Sequence, residues 1–270
     1  MSLFKLTEEG LWEFLIFGSY ALNGNAAFES DIDAICWAPP KITKDMFFTN
    51  LFDILVKDER ISKWVPIRWA KVPIISLECE GVSFDLSFAQ IERNYLKNLK
   101  EELKDEKVID KFSAAARDTM SGYTLTQKIL QMVPWEEKFS FVLRVIKTWA
   151  RKRSVTSSKI GFPNGVSWAI LVAKICIDNS ELTKYELIYT FFKHYNEQDW
   201  SETIKIFEFL PENEEEKEEE NAGFHKIHLC IQNPAYPYQN IWKKTIKTNI
   251  FWLKFELKRA VDILDSKKIV

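Results

Sequence analysis

Asp31 and Asp33 are separated by one apolar residue, Ile32, and lead straight into Ala34-Ile35-Cys36-Trp37. If that run is a strand, side chains two apart leave the same face. The two carboxylates then point together while Ile32 packs to the other side. Paired carboxylates repel one another, and divalent cations let both stay ionised. Upstream, the apolar run Phe14-Leu15-Ile16-Phe17 breaks at Gly18-Ser19, a turn whose free backbone N–H groups and hydroxyl suit a phosphate. Downstream, Gly81 to Phe88 alternates in the strand manner and carries Asp85. Beside the first pair, Asp85 completes a three-carboxylate cradle for two ions, one to activate a hydroxyl and one to hold a triphosphate and its leaving group. A bare D-x-D is common as a solvated surface pair. The Gly-Ser turn and the third aspartate point instead to metal-dependent transfer of a nucleotide.

The elements that must position these residues follow from the surrounding pattern. Pro39-Pro40 ends the aspartate strand, and Thr43 can cap a helix with Phe47, Phe48, Leu51, Phe52 and Leu55 at helical spacing. Three strand-like pieces follow: Trp64 to Trp69, Val72 to Cys79 and Val82 to Phe88. The fold expected is α/β, a palm-like unit with a mixed sheet over residues 1–93, then a mostly helical domain over 94–240 and a C-terminal basic helix over 241–270. Residues 92–106 read as charged helix. The clearest helices are 138–153, 166–178, 185–195 and 250–264.

Composition bounds the alternatives. At 270 residues, 46% apolar, the chain can build substantial cores, and no run has the length and apolarity of a membrane span. Glu8, Glu9 and Glu13 crowd the first apolar stretch, unlike a signal peptide. Cys36, Cys79, Cys176 and Cys230 lack metal-ligand spacing and read as core residues of a reducing, intracellular compartment. The net charge of −2 hides strong patterning: seven Lys/Arg and no acid between Lys138 and Lys159, against seven Glu in the nine residues from Glu212 to Glu220. Local basic surface leaves RNA binding open, and the acidic run reads as a solvated loop. His194 reads as core or interface, and His225 and His228 as structural histidines. There is no Ser/His/Asp or Cys/His set and no Walker-type phosphate loop.

Five segments in order resemble the nuclear-type poly(A) polymerases of the nucleotidyltransferase superfamily. They are FGSY through SDIDAICWAP to Phe47-Phe48 (17–48), GVSFDLSFA (81–89), RVIKTWARKR (144–153), GVSWAILVAKIC (165–176) and NPAYPYQN (233–240). The resemblance implies that Asp31 and Asp33 bind two Mg²⁺ or Mn²⁺ ions and that Asp85 joins the ion activating an RNA 3′-hydroxyl. It gives Gly18 and Ser19 the β- and γ-phosphates, Lys147 and Arg151 further phosphate contacts, Gly165 and Val166 the adenine or its sugar, and Phe17 the closing of the pocket. Independently, Lys147 and Arg151 are four apart, so one helix presents both cations to one anion. Gly165-Val166 reads equally as a buried helix start.

The chain also departs from the family. Tyr20-Ala21-Leu22-Asn23 replaces Tyr-Arg-Leu-Gly, Ser121 stands where the family has a nucleotide-contacting Asn, and Thr156 where it has a phosphate-contacting Tyr. Both keep a hydroxyl with less reach and stacking area. Family members carry more residues before the Gly-Ser strand and an RNA-binding domain after the helical one. The basic tail from Lys243 to Lys268 reads either as an RNA surface or as a solvated helix face. The implied activity is template-independent addition of AMP from ATP to an RNA 3′ end, in the nucleus, with a protein partner supplying RNA binding. Transfer of another nucleotide, or a non-catalytic scaffold role in 3′-end processing, are the alternatives.

Overall fold

The computed structural model describes residues 13–24, 31–91, 99–103, 106–206, 231–235 and 240–266. The chain forms two compact units, 1–127 and 128–270. This division lies later than the change of texture near residue 93, because a helix beyond that point belongs to the sheet.

In the first unit, β1 (Glu13–Phe17), β2 (Ile32–Ala38), β3 (Ile61–Ile67), β4 (Ile74–Cys79) and β5 (Val82–Gln90) form one sheet in the order β1-β2-β5-β4-β3. It is mixed: β2 and β5 run parallel, and the other pairs are antiparallel. Both faces of β2 are covered, which is why its sequence is nearly continuously apolar and not alternating. On one face Ala34, Cys36 and Ala38 pack with Leu86, Ile75 and Leu77 against Phe47, Phe48, Leu51 and Leu55. Those four residues lie on α2, a helical run of Lys44–Met46, a π-turn Phe47–Leu51 and Phe52–Leu55. Thr43 caps it as expected, its hydroxyl accepting the Met46 N–H at 3.2 Å. The short helical turn Gly18–Ala21, α1, follows β1 directly.

On the other face Leu15, Ile35, Trp37 and Ala89 pack against Ala116, Met120 and Tyr123. These come from α3 (Ala114–Met132), a helix the sequence texture did not single out. Its hydroxyls tie it down: Thr119 donates to the Phe88 carbonyl at 3.3 Å. Of the run expected to be charged helix, the described part holds one turn, Leu99–Glu102, and the rest lies outside the described residues.

The second unit is helical, with α4 (Glu136–Lys152), α5 (Gly165–Asp178), α6 (Lys184–Glu197) and α7 (Lys247–Ser266). α5 is the axis: Trp168 to Ala173 are all buried, so no amphipathic pattern survives in that stretch. Aromatic side chains fill the space around it. Trp149 meets Trp168 at 5.8 Å and Phe192 at 4.9 Å, and Tyr195 gives its hydroxyl proton to the Leu171 carbonyl at 2.9 Å. Thr183 and Glu186 form a reciprocal capping box at the start of α6. His194 lies edge-on to Tyr195, half-buried, and desolvation pushes its pKa down, in line with a packed histidine. The acidic run, His225, His228 and Cys230 lie outside the described residues, as do 236–239 of the last family-like segment. Among the described residues no helix is long and apolar enough to cross a membrane.

Candidate functional site

Strand register places the carboxylates. Asp33 of β2 is the parallel partner of Asp85 on β5, and Phe17 of β1 is the antiparallel partner of Asp33. Ser76 on β4 partners Asp85, so one row crosses four strands as Phe17, Asp33, Asp85, Ser76. Residues paired across adjacent strands share a face. Asp31 sits one residue before β2 and two before Asp33, exposed to solvent. Asp33 and Asp85 thus belong to one end of one face, the face on which Leu15 and Ile35 carry the core, and Asp31 precedes them at the start of β2. Ile32 and Phe84, their chain neighbours, face the opposite side, where with Phe14, Ile16, Leu77 and Leu86 they line an apolar cavity of about 250 Å³.

Among the described residues no three His, Cys, Asp or Glu side chains are gathered tightly enough to cage an ion. The donor set still fits hard divalent cations: carboxylate oxygens on neighbouring strands, with a backbone turn pressed against one of them. That turn is Gly18. It has φ +68°, and a Cβ there would collide with the Asp33 carboxylate. Only glycine allows both the backbone conformation and the approach.

One expectation about the turn needs correction. The Gly18 N–H is not free for a phosphate, because it donates to the Thr126 hydroxyl of α3 at 3.0 Å. Phe17 is likewise held by α3: a Cβ at Gly122 would lie 2.5 Å from its ring. Thr126, Gly122 and Ser76 were not singled out from sequence. A glycine inside a helix costs about 1 kcal/mol relative to alanine, and that mid-helix Gly122 was the signal available. Ser121, the counterpart of a family Asn, is exposed and its hydroxyl donates to the Asp118 carbonyl at 2.8 Å.

In the second unit, Lys147 is half-buried and Arg151 is exposed one turn further along α4, beside the buried stripe of Leu143, Ile146 and Ala150. Gly165 opens α5 within reach of that lysine: a Cβ there would lie 4.0 Å from Lys147 Cε. Asn164 caps α5 by accepting the Ser167 N–H at 2.9 Å, which leaves Gly165 exposed and Val166 half-buried at the first turn. The buried-start reading therefore fails for Gly165. The Thr156 hydroxyl donates to the Pro163 carbonyl at 3.2 Å.

The two buried thiols, Cys36 and Cys176, are poorly suited to act as nucleophiles. Burial pushes Cys176 up to about 12 and raises Cys36 well above the ordinary range, so both stay protonated at neutral pH.

Comparison with known proteins agrees with this layout. Residues 5–133 match the poly(A) polymerase nucleotidyltransferase domain and residues 138–269 the poly(A) polymerase central domain. A poly(A) polymerase of Dictyostelium discoideum is 32% identical over 96% of this chain and 32% of its own length. The Schizosaccharomyces pombe poly(A) polymerase pla1 is 31% identical over 97% of this chain and 46% of its own. The chain therefore spans about a third to a half of the length of these curated relatives. Solved structures share the fold at low identity. The terminal uridylyl transferase 4 of Trypanosoma brucei aligns with a TM-score of 0.63 at 14% identity, covering 95% of this chain and 87% of that one. The polymerase core of TRAMP, an RNA surveillance complex, aligns at 0.61 and 18%, covering 97% and 76%. With both domains matched in order and the aspartate row in register, the chain belongs to the poly(A) polymerase family.

Proposed function

We propose that the chain is a template-independent RNA 3′-end adenylyltransferase, transferring AMP from ATP to an RNA 3′-hydroxyl. The observation that carries this reading is the cross-strand pairing of Asp33 with Asp85, with Gly18 packed against Asp33. In the reaction the 3′-oxygen bonds to the α-phosphorus, the bond to the bridging oxygen breaks, pyrophosphate leaves and the hydroxyl proton is released. Two divalent ions, Mg²⁺ or Mn²⁺, held by Asp31, Asp33 and Asp85, supply charge neutralisation and hydroxyl activation when bound.

The chain's own residues do the rest. The sheet fixes Asp33 and Asp85 side by side, so neither carboxylate needs to reorganise along the strand direction. Ser19 offers its hydroxyl to the phosphates, and Phe17 limits the pocket beside it. Lys147 and Arg151 bring charge to the triphosphate from one helix face, and Gly165, lacking a side chain, leaves room next to Lys147 for the nucleotide. An RNA 3′ end, a protein partner contributing RNA affinity and a nuclear location complete the proposal by analogy with the relatives. A second reading, relaxed nucleotide choice, has support in Ser121 and Thr156, whose short side chains are turned to neighbouring carbonyls.

Primer extension with a short labelled RNA and each of the four NTPs, in Mg²⁺ or Mn²⁺, tests this. Extension by ATP alone, lost in Asp33→Ala, is the expected result. Extension by UTP or CTP at similar rates favours the second reading. No extension by a folded chain overturns both and leaves the scaffold role.

A further inference from the structure

Thr126 uses its hydroxyl twice. It donates to the Gly122 carbonyl at 2.8 Å, one turn back in α3, and accepts the Gly18 N–H at 3.0 Å. A hydroxyl has one proton and two lone pairs, so the bond to Gly122 orients the oxygen and leaves a lone pair for Gly18. Three contacts then hold the turn after β1. Thr126 takes its first N–H, Phe17 seats on the bare backbone of Gly122, and the Gly18 α-carbon abuts the Asp33 carboxylate. Gly18 sits 108 residues from Thr126 in the chain, so this is a tertiary tie and not a local turn.

We propose that Thr126 is a positioning residue for the aspartate site. Its hydroxyl locks the Gly18 peptide against Asp33, and so sets where Ser19 stands relative to the carboxylates. The lock removes the Gly18 N–H from the phosphate's reach, so the turn serves phosphate through Ser19. This inference rests on the nucleotidyl-transfer reading above. It adds a residue that touches neither substrate nor ion and acts through the turn.

The test compares wild type, Thr126→Val and Thr126→Ser. Valine keeps shape and β-branching but can neither accept from Gly18 nor donate to Gly122, whereas serine retains both bonds. With ATP varied in primer extension, Thr126→Val is expected to lose roughly ten- to a hundredfold in kcat/KM, the scale of a misplaced reacting group. Thr126→Ser is expected to return close to wild type. Hydrogen–deuterium exchange of the segment from Phe14 to Leu22 is read alongside, with faster exchange expected in Thr126→Val only. Unchanged kcat/KM in Thr126→Val overturns the proposal, as does equal loss in valine and serine variants, which would mean the hydroxyl is not what matters. If wild type extends RNA with no nucleotide, the functional reading fails, and exchange alone decides: equal rates in all three chains overturn the lock, and a rise confined to valine upholds it.

Discussion

The two units place their candidate site residues by different physics. In the sheet unit, position comes from register: a parallel ladder puts Asp33 against Asp85, and a one-residue slip would send each carboxylate to the opposite face. In the helical unit, position comes from the phase of a helix face and from a cap. Lys147 and Arg151 share a side of α4, and Asn164 decides where α5 begins. A sheet site is therefore all-or-none, while a helix site degrades by degrees, because a long flexible cation tolerates small shifts that a strand-borne carboxylate does not.

That contrast can be broken or sharpened by substitution. The largest effect is expected at Asp33→Ala, where turnover in primer extension should fall by roughly a thousandfold or more, the rate equivalent of losing several kcal/mol of charge stabilisation. Near-normal turnover would remove the aspartate row from the mechanism. Gly18→Ala comes next: the added Cβ meets Asp33 in a backbone conformation that costs an L-residue about 1–2 kcal/mol. Activity should drop by roughly a hundredfold while the thermal midpoint falls only modestly. Lys147→Ala should act more gently, raising the KM for ATP roughly tenfold or more, as expected for one charge-assisted hydrogen bond of about 1.5–3 kcal/mol. An effect on kcat as severe as that of Asp33→Ala would erase the distinction between the units. Asn164→Ala should cost about 1 kcal/mol by denaturant melting, with a mild rise in KM from the frayed start of α5.

The smallest effect is electrostatic. The hydrogen bond from Arg60 holds Asp58 down to about 2. A carboxyl with a lowered folded pKa contributes stability above its unfolded value, near 3.9, and loses it as the pH falls towards 2. Because the pair is solvent-exposed, Arg60→Ala should barely change the melting temperature at pH 7, and the two melting curves should converge by pH 2. A large difference at neutral pH would show that the edge of the sheet, not its centre, carries the unit's stability.

Much of the placement of the candidate residues was legible in the sequence because strand periodicity and D-x-D spacing are local properties. The shared face of Asp33 and Asp85 followed from alternation, and Thr43 announced its helix by cap chemistry. Lys147 and Arg151 were implied by the family resemblance, and their i, i+4 spacing sets both on one side of a helix. What escaped notice was non-local. α3 carries polar residues among its apolar ones, so its membership of the first unit was visible only once Met120 and Tyr123 were seen against the sheet. The Gly-Ser turn was read as an open phosphate cradle, and its first donor proved to be taken by a residue more than a hundred positions away.

By itself the sequence determined which residues can do chemistry and which face of a strand or helix each one occupies, since those depend on backbone periods of 2.0 and 3.6 residues. Only the tertiary structure decided that β5 lies beside β2, with Asp85 opposite Asp33, and that Thr126 closes on Gly18. Pairing partners and distant hydrogen bonds depend on which buried surfaces meet when the core assembles, and local sequence does not encode that choice.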